Sequence, residues 1–253
     1  MDEKNKYTGM DILDLAQMAP ESVFDEARKI LETLVGYKEL RMMYACALKE
    51  VRTKFEVLDV EFNVRYSRYP INAIHTRLKS NQSILEKMQR RRIPFSLENL
   101  EARIQDVAGV RVICSYVDDI YRLSEALLRQ DDVKLIAQKD YIQQPKPNGY
   151  RSLHLIVRVP VFFADQRRDL PVEVQIRTIA MDFWASLEHQ LKYKQNVPEQ
   201  EAIVEQLRHC AQRVSDLDEE MLAIRRRIEA AEDKPSEDDI LLEKLMRLET
   251  PLE

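Results

Sequence analysis

Three stretches of this chain gather residue types that handle phosphate. The first is RLKSNQSILEKMQRR, from Arg77 to Arg91. Arg77 and Lys79 fall on one face of an expected strand, because alternate strand residues share a face. The turn that follows delivers Ser80, Asn81 and Ser83 to a helix start, where free N–H groups and the helix dipole favour phosphate. Ser83 and Lys87 are four apart on that helix, and Arg90 or Arg91 extends the same side. Together these residues would cradle a polyphosphate without a glycine loop; an ordinary basic amphipathic helix would contain the same types. The second stretch is DVAGVRV, Asp106 to Val112. Asp106 sits just before a buried strand, Arg111 lies opposite Val110 and Val112, and Gly109 leaves room for close approach of backbone or ligand. A carboxylate at a strand edge serves as a Mg²⁺ ligand when phosphates supply the other positions; it serves equally well as a helix cap. The third stretch is KDYIQQPKPNGYRSLHLIV with the nearby PVEVQIRT. Two prolines and one glycine make its loop stiff, with one sharp turn. The loop presents Lys146, Asn148, Tyr150 and Arg151, and an aromatic ring among cations suits a stacked base with phosphate partners. Ser152 and His154 share one strand face, and Glu173, Gln175 and Arg177 share another. If the two strands pair, both polar rows lie on one side of the sheet.

These residues need a scaffold, and the hydrophobic pattern supplies one. Apolar residues at Phe24, Ala27, Leu31, Leu34, Tyr37, Leu40, Tyr44, Ala47, Val51, Phe55 and Leu58 describe one or two amphipathic helices, with Gly36 as the place for a break. Strands are expected at 73–79, 108–116, 133–138, 152–160 and 171–177, the last two as a hairpin. Helices are expected at about 81–92, 97–105, 118–130 and 178–192. The tail carries Ile203, Leu207, Cys210, Val214, Leu217, Met221, Ile224 and Ile228, a seam with coiled-coil spacing. This seam packs either on its own domain or, as its narrow pattern favours, on another subunit. Ser236 with Asp239 forms a capping-box pattern for a last short helix.

Composition narrows the classes. The chain has 253 residues with 45% apolar and 33% charged, enough for a sizeable core. Four glycines leave no dinucleotide fingerprint and no P-loop. No run of 18 apolar residues occurs, and MDEKNKYTGMDILDL has no signal-like apolar stretch, so a membrane is not expected and the cytoplasm is. Cys46, Cys114 and Cys210 lack metal spacing and read as buried thiols in a reducing compartment. The net charge of −5 argues against a general nucleic-acid binder. Yet residues 65–111 hold 10 Lys/Arg and 4 Asp/Glu, while residues 199–253 hold 16 acids and 8 bases. A basic centre in an acidic protein fits a local anionic ligand, or simply a solvated charged face.

RLKSNQSILEK, DVAGVRV, PKPNGYRSLHLIV, VEVQIRT and AMDFWASLEHQLKYK resemble, in order and spacing, the synthetase domain of RelA/SpoT-type proteins. The chain is most similar to the stand-alone small alarmone synthetases of the RelQ type, over roughly residues 60–195. The resemblance implies an α+β fold, a mixed β-sheet flanked by helices of the polymerase-β-like nucleotidyltransferase kind. It divides the chain into a helical extension at 1–58, a catalytic domain at 59–195 and oligomerising helices at 196–253. The implied reaction moves the β,γ-pyrophosphate of ATP to the ribose 3′-hydroxyl of GDP or GTP, giving ppGpp or pppGpp, with no hydrolase segment attached. By motif, Arg77 and Arg111 would sandwich adenine, and Lys79, Ser83, Lys87 and Arg90 would hold ATP phosphates. Asp106 would bind Mg²⁺; Glu173 would bind Mg²⁺ or accept the 3′-hydroxyl proton. Tyr150 would stack on guanine, with Lys146, Asn148, Arg151, His154, Gln175 and Arg177 around it. Asp182 would read the guanine edge and Lys139 would contact acceptor phosphate. The family further implies a homotetramer, an alarmone as allosteric ligand and, for some members, single-stranded RNA. Two other readings stay open: a relative that uses an adenine nucleotide or a tRNA end as acceptor, and a non-catalytic binding module.

Overall fold

Period-two alternation in five segments builds the sheet, and it decides which residues meet above it. The computed structural model describes residues 21–192, 200–231 and 241. The elements in chain order are α1 (Glu21–Tyr66), β1 (Ile71–Leu78), α2 (Asn81–Arg90), α3 (Leu97–Arg103), β2 (Ala108–Cys114), α4 (Val117–Leu128), β3 (Lys134–Asp140), β4 (Leu153–Phe162), β5 (Arg167–Thr178), α5 (Ile179–Lys192) and α6 (Gln200–Ala231). The strands lie in the order β1-β2-β5-β4-β3. The β2–β5 pair is parallel and the other pairs are antiparallel, so the sheet is mixed.

One sheet face is apolar. Val110 and Val112 of β2, Val172, Val174 and Ile176 of β5, and Leu153, Leu155 and Val157 of β4 are buried. They pack against Leu40, Tyr44, Ala47, Val51 and Phe55 of α1 and Ile120, Leu123 and Leu127 of α4. Burying this many aliphatic side chains, at roughly 1.5–3 kcal/mol each, is the main source of stability.

Several expectations change in the folded chain. The helix from Glu21 to Tyr66 is unbroken, and Gly36 does not interrupt it. A side-chain carbon at Gly36 would come within 2.8 Å of Leu97 Cδ1, so this glycine serves the crossing of α1 over the start of α3. That helix also passes residue 58 without interruption, and its residues from Leu40 to Leu58 contribute to the main core. Lys79 lies just past β1, although its N–H still donates to Val107 O at 2.8 Å and prolongs the β1–β2 pairing. Of the three thiols only Cys114 is buried; Cys46 is half-buried and Cys210 is exposed on α6. The capping pattern at Ser236 and Asp239 lies outside the described residues, as does the acidic start of the chain.

The tail seam splits in two. Leu207, Ala211, Val214, Asp218, Leu222 and Arg225 are buried or half-buried, whereas Leu217, Met221, Ile224 and Ile228 are exposed. The heptad spacing is real, but the stripe facing this chain is offset by one position from the stripe of largest apolar residues. Arg225 sets the offset: it donates to both oxygens of Asp118, at 3.1 and 2.6 Å, and lies over the Tyr116 ring.

Candidate active site

The polar face of the sheet is laid out in rows by strand register. Arg77 pairs with Gly109, Gly109 with Glu173, and Glu173 with Ile156. In the next row His75 pairs with Arg111, Arg111 with Gln175, Gln175 with His154, and His154 with Lys139. Directly paired residues point to the same side. The strand alternation read from the sequence therefore does bring the polar residues of β4 and β5 together, and it adds Arg111 from β2. A side-chain carbon at Gly109 would meet nothing closer than Arg77 O at 3.7 Å. Its missing side chain is not demanded by the protein's own packing, and it leaves open space between Arg77 and Glu173.

At one end sits a compact charge cluster. Asp106 Oδ2 accepts from Lys79 Nζ at 2.8 Å and from Lys87 Nζ at 2.6 Å. Burial pushes the Asp106 carboxyl up, but the hydrogen bonds and charges of the two lysines outweigh it and hold the group below its ordinary value. The other oxygen, Oδ1, is buried and has no hydrogen-bond partner. The lysines are placed by local structure. Ser80 caps α2, its hydroxyl accepting from Ser83 N, and Lys87 lies in the last turn of that helix. The turn itself is tied to α1, with Arg41 Nη1 donating to Lys79 O at 2.9 Å and Tyr37 Oη donating to Asn81 Oδ1 at 2.8 Å. Ser80 Oγ also donates to Ser83 Oγ at 2.9 Å.

The second cluster is a ring of hydrogen bonds on β4 and β5. Arg177 Nη2 donates to Tyr150 Oη at 2.6 Å and to Gln175 Oε1 at 2.8 Å, and Gln175 Nε2 donates to Glu173 Oε2 at 3.0 Å. Tyr150 Oη and His154 Nε2 are 2.8 Å apart, and His154 Nδ1 is 3.6 Å from Glu173 Oε1. Ionised Glu173 can only accept, so the neutral His154 ring places its proton on Nδ1 toward it, and Nε2 then accepts the tyrosine's hydrogen. A protonated His154 carries that proton too; in both states an N–H faces Glu173. Burial raises the Glu173 carboxyl, and the hydrogen bond and charge of His154 more than reverse this, leaving it below its ordinary value. Asp106 acts on Glu173 in the raising direction, so the two clusters sense each other.

Asp182, in the first turn of α5, closes the group: its Oδ1 accepts from Arg177 Nη1 at 3.2 Å and from Arg111 Nη1 at 3.3 Å. Lys146 Nζ stands 4.6 Å from the Tyr141 ring centroid and 4.5 Å from that of Tyr150, and Arg177 lies 5.0 Å from the Tyr150 centroid. Arg77, Arg90 and Lys139 are exposed at the rim.

Two residues of the expected acceptor set turn elsewhere. Asn148 Nδ2 donates to Glu188 Oε1 at 3.1 Å, and its Oδ1 accepts from Tyr150 N at 3.3 Å. Arg151 donates to Ala211 O at 3.3 Å and to Gln212 Oε1 at 3.0 Å, both on α6. Both residues hold the loop in place and stand outside the hydrogen-bonded ring. Sequence reasoning also passed over Tyr141 and Glu188. No spacing rule links Tyr141 to Tyr150; only the β3–β4 pairing, with Asp140 opposite Leu153, brings the rings to 6.0 Å. Among the described residues, no group of three or more His, Cys, Asp or Glu is arranged to hold a metal, and no helix is long and apolar enough to cross a membrane.

The chain is similar to known proteins in sequence and fold. A family model described as "Region found in RelA / SpoT proteins" matches residues 76–198. GTP pyrophosphokinase YwaC of Bacillus subtilis (strain 168) is 39% identical over 205 residues, which are 81% of this chain and 96% of that protein. The crystal structure of small alarmone synthetase 2 from Bacillus subtilis aligns with a TM-score of 0.68 at 42% identity, covering 76% of this chain and 98% of that one. Small alarmone synthetase 1 from the same organism, bound to its product pppGpp, gives 0.69 at 37% identity, covering 76% and 98%. The α+β class and the mixed sheet flanked by helices are thus shared with solved structures.

Proposed function

The chain belongs to the RelA/SpoT-type GTP pyrophosphokinases, and from that membership we propose that it moves the β,γ-pyrophosphate of ATP to the ribose 3′-hydroxyl of GDP or GTP. The acceptor oxygen forms a bond to the β-phosphorus, the bond to the α-phosphate oxygen breaks, and AMP leaves. The observation that carries this reading is the single polar face joining a Lys79–Lys87–Asp106 cluster to a Glu173–His154–Tyr150–Arg177 ring.

The work of such a site is positioning and charge neutralisation. Lys79 and Lys87, with Ser83 and Arg90 nearby, hold the triphosphate; Arg77 and Arg111 flank the adenine. Tyr150 stacks on the guanine, and Lys146, Gln175, Arg177 and Lys139 line the acceptor. Asn148 and Arg151 serve the acceptor by holding the loop. Asp182 takes the guanine edge, which requires Arg111 to leave it for the adenine; donor binding thereby readies the acceptor site. Glu173 receives the 3′-hydroxyl proton, and the N–H of His154 keeps it ionised beforehand.

Mg²⁺ fits these residues. The partnerless Oδ1 of Asp106 is an open ligand position, and Glu173 is the neighbouring acid. Two ammonium groups already sit on the other Asp106 oxygen, so a dication is tolerated only together with the phosphates those lysines then bind. Bound there, the metal would neutralise charge developing on the phosphates.

The chain acts, on this reading, as a synthetase without hydrolase activity in the cytoplasm; the relatives it spans nearly end to end are named for pyrophosphokinase activity alone. Association of copies is supported by exposed apolar residues on α1 and α6, while the tetramer, a product alarmone as allosteric ligand and single-stranded RNA rest on family membership. The deciding experiment incubates the protein with ATP labelled at the γ-phosphate, Mg²⁺ and, separately, GDP, GTP, ADP and a tRNA. Label in ppGpp and pppGpp only is expected, and Glu173→Gln should lower kcat at least ~100-fold. Label on an adenine nucleotide or tRNA would replace the acceptor, and no transfer to any acceptor would leave a binding module.

A further inference from the structure

The stripe of α6 that faces this chain repeats every seventh residue as Ala211, Asp218 and Arg225. An aliphatic residue would fit the middle position at lower cost, yet it holds an acid that is only 7% exposed. Burial pushes its carboxyl above the ordinary value, with the hydroxyl of Thr178 and the charge of Arg151 acting the other way. None of the phosphate or base contacts described above uses it.

Its one hydrogen bond explains the position. Thr178 Oγ1 donates to Asp218 Oδ2 at 2.7 Å and accepts from Met181 N at 3.0 Å. The backbone N–H can only donate and the ionised carboxylate can only accept, so the hydroxyl gives its single hydrogen to Asp218. Thr178 is fully buried and stands at the turn between β5 and α5, directly after Arg177 and four residues before Asp182. Its hydroxyl therefore caps the first turn of α5, and Asp218 fixes the orientation of that hydroxyl.

The rest of α6 reaches the same site. Trp184 Nε1 donates to Leu207 O at 3.0 Å, and Trp184, Ala185 and Ala211 form a small core against which Tyr150 packs. Arg151 is bonded to Ala211 O and Gln212. The helix thus backs both the loop bearing Tyr150 and the turn bearing Arg177 and Asp182.

We propose that Asp218 is a positioning residue for the acceptor site: through Thr178 it sets the β5–α5 turn and with it the placement of Arg177 and Asp182. This rests on the reading of that site as the guanine-nucleotide site. Among the described residues no hydrogen bond or ion pair joins Lys79, Lys87 or Asp106 to α6, and only the Arg111–Asp182 pair links the turn to the donor side, so the effect falls mainly on the acceptor.

The test compares Asp218→Ala, Asp218→Asn and Thr178→Val with the wild type. A displacement of about 1 Å can cost as much as about 100-fold, so Asp218→Ala should weaken the acceptor at least about tenfold in KM, while the ATP KM, reached only through the Arg111–Asp182 pair, changes at least about threefold less. Asp218→Asn keeps an acceptor oxygen and should return to within about threefold of wild type. Hydrogen exchange at the Met181 amide should speed up in the alanine variant and not in the asparagine variant. Emission from Trp184, the chain's single tryptophan, should not move, showing that α6 is still seated. Wild-type acceptor KM and wild-type Met181 exchange in Asp218→Ala would overturn the proposal. So would a parallel rise in both KM values with shifted Trp184 emission, which would make Asp218 part of the scaffold only. Should Asp218→Ala fail to fold, Thr178→Val must show the same acceptor-selective loss, and an unchanged KM there overturns it. A wild type that transfers nothing to guanine nucleotides refutes the functional reading instead, and Met181 exchange still decides the positioning claim.

Discussion

Asp106 carries two lysines on one oxygen, and that imbalance makes it the most informative residue in the donor cluster. All three side chains are largely buried, so removing the carboxylate leaves two ammonium groups close together without an anion. Asp106→Asn should cost about 1–3 kcal/mol at pH 7 without unfolding the protein. Urea unfolding would measure it; a neutral result would mean the lysines find other partners. The pH dependence follows from the direction of the shift. The folded-state value lies below the ordinary 3.8, so the stabilisation is complete above that pH and disappears as pH falls through the lower folded value. The acid limb of the wild-type stability curve should therefore be steeper below about pH 4 than that of Asp106→Asn. Tyr150 has two separable parts. Its ring would stack on the acceptor base, worth roughly 1–3 kcal/mol, so Tyr150→Ala should raise the acceptor KM roughly 5- to 150-fold and ATP less. Its hydroxyl links Arg177 to His154, so Tyr150→Phe should spare KM and lower kcat. A larger effect on ATP than on the acceptor in Tyr150→Ala would mean the two sites are exchanged.

At the scale of elements, the loop before β4 depends on one glycine. Gly149 has φ of 89°, a conformation side-chain-bearing residues rarely adopt, and a side-chain carbon there would lie 2.5 Å from Ala211 Cβ. Gly149→Ala thus meets both backbone strand-loop strain, about 1–3 kcal/mol, and a collision with α6. Urea unfolding should show the loss, and adding Ala211→Gly should recover only the collision part. Full recovery in the double variant would show that the backbone angle costs nothing. The sequence indicated that a sharp turn was needed here. That the turn presses on a helix about sixty residues later is a product of packing.

For the whole molecule, two of the exposed apolar stripes run along long helices. Leu217, Met221, Ile224 and Ile228 line the outer side of α6, and Phe24, Ile30, Leu31, Leu34 and Val35 lie along the first half of α1. Leu217 is 51% and Ile224 48% exposed in the single chain, so aspartate at both positions should leave the fold and the nucleotide sites intact. If these stripes are the contact between copies, Leu217→Asp with Ile224→Asp should break the assembly into smaller species by light scattering. A wild type that is monomeric at micromolar concentration would dismiss the contact, and a globally unfolded double variant would put the stripe inside the chain's own core.

The sequence by itself determined the strands, most helix boundaries and both polar rows, because period-two and period-3.6 alternation are local properties of the chain. It also determined the candidate residues, since RLKSNQSILEK, DVAGVRV and NGYRSLHL carry their chemistry in short, ordered segments. Tertiary structure decided what no local period contains. Parallel pairing of β2 with β5 set Arg111 beside Gln175. Register between α6 and the body of the protein turned Asp218, and not Leu217, inward. The same docking drew Arg151 out of the hydrogen-bonded ring and onto α6. Each of these depends on contacts between residues distant in the chain, where burial of the whole surface, and not the preference of any one segment, selects the partner.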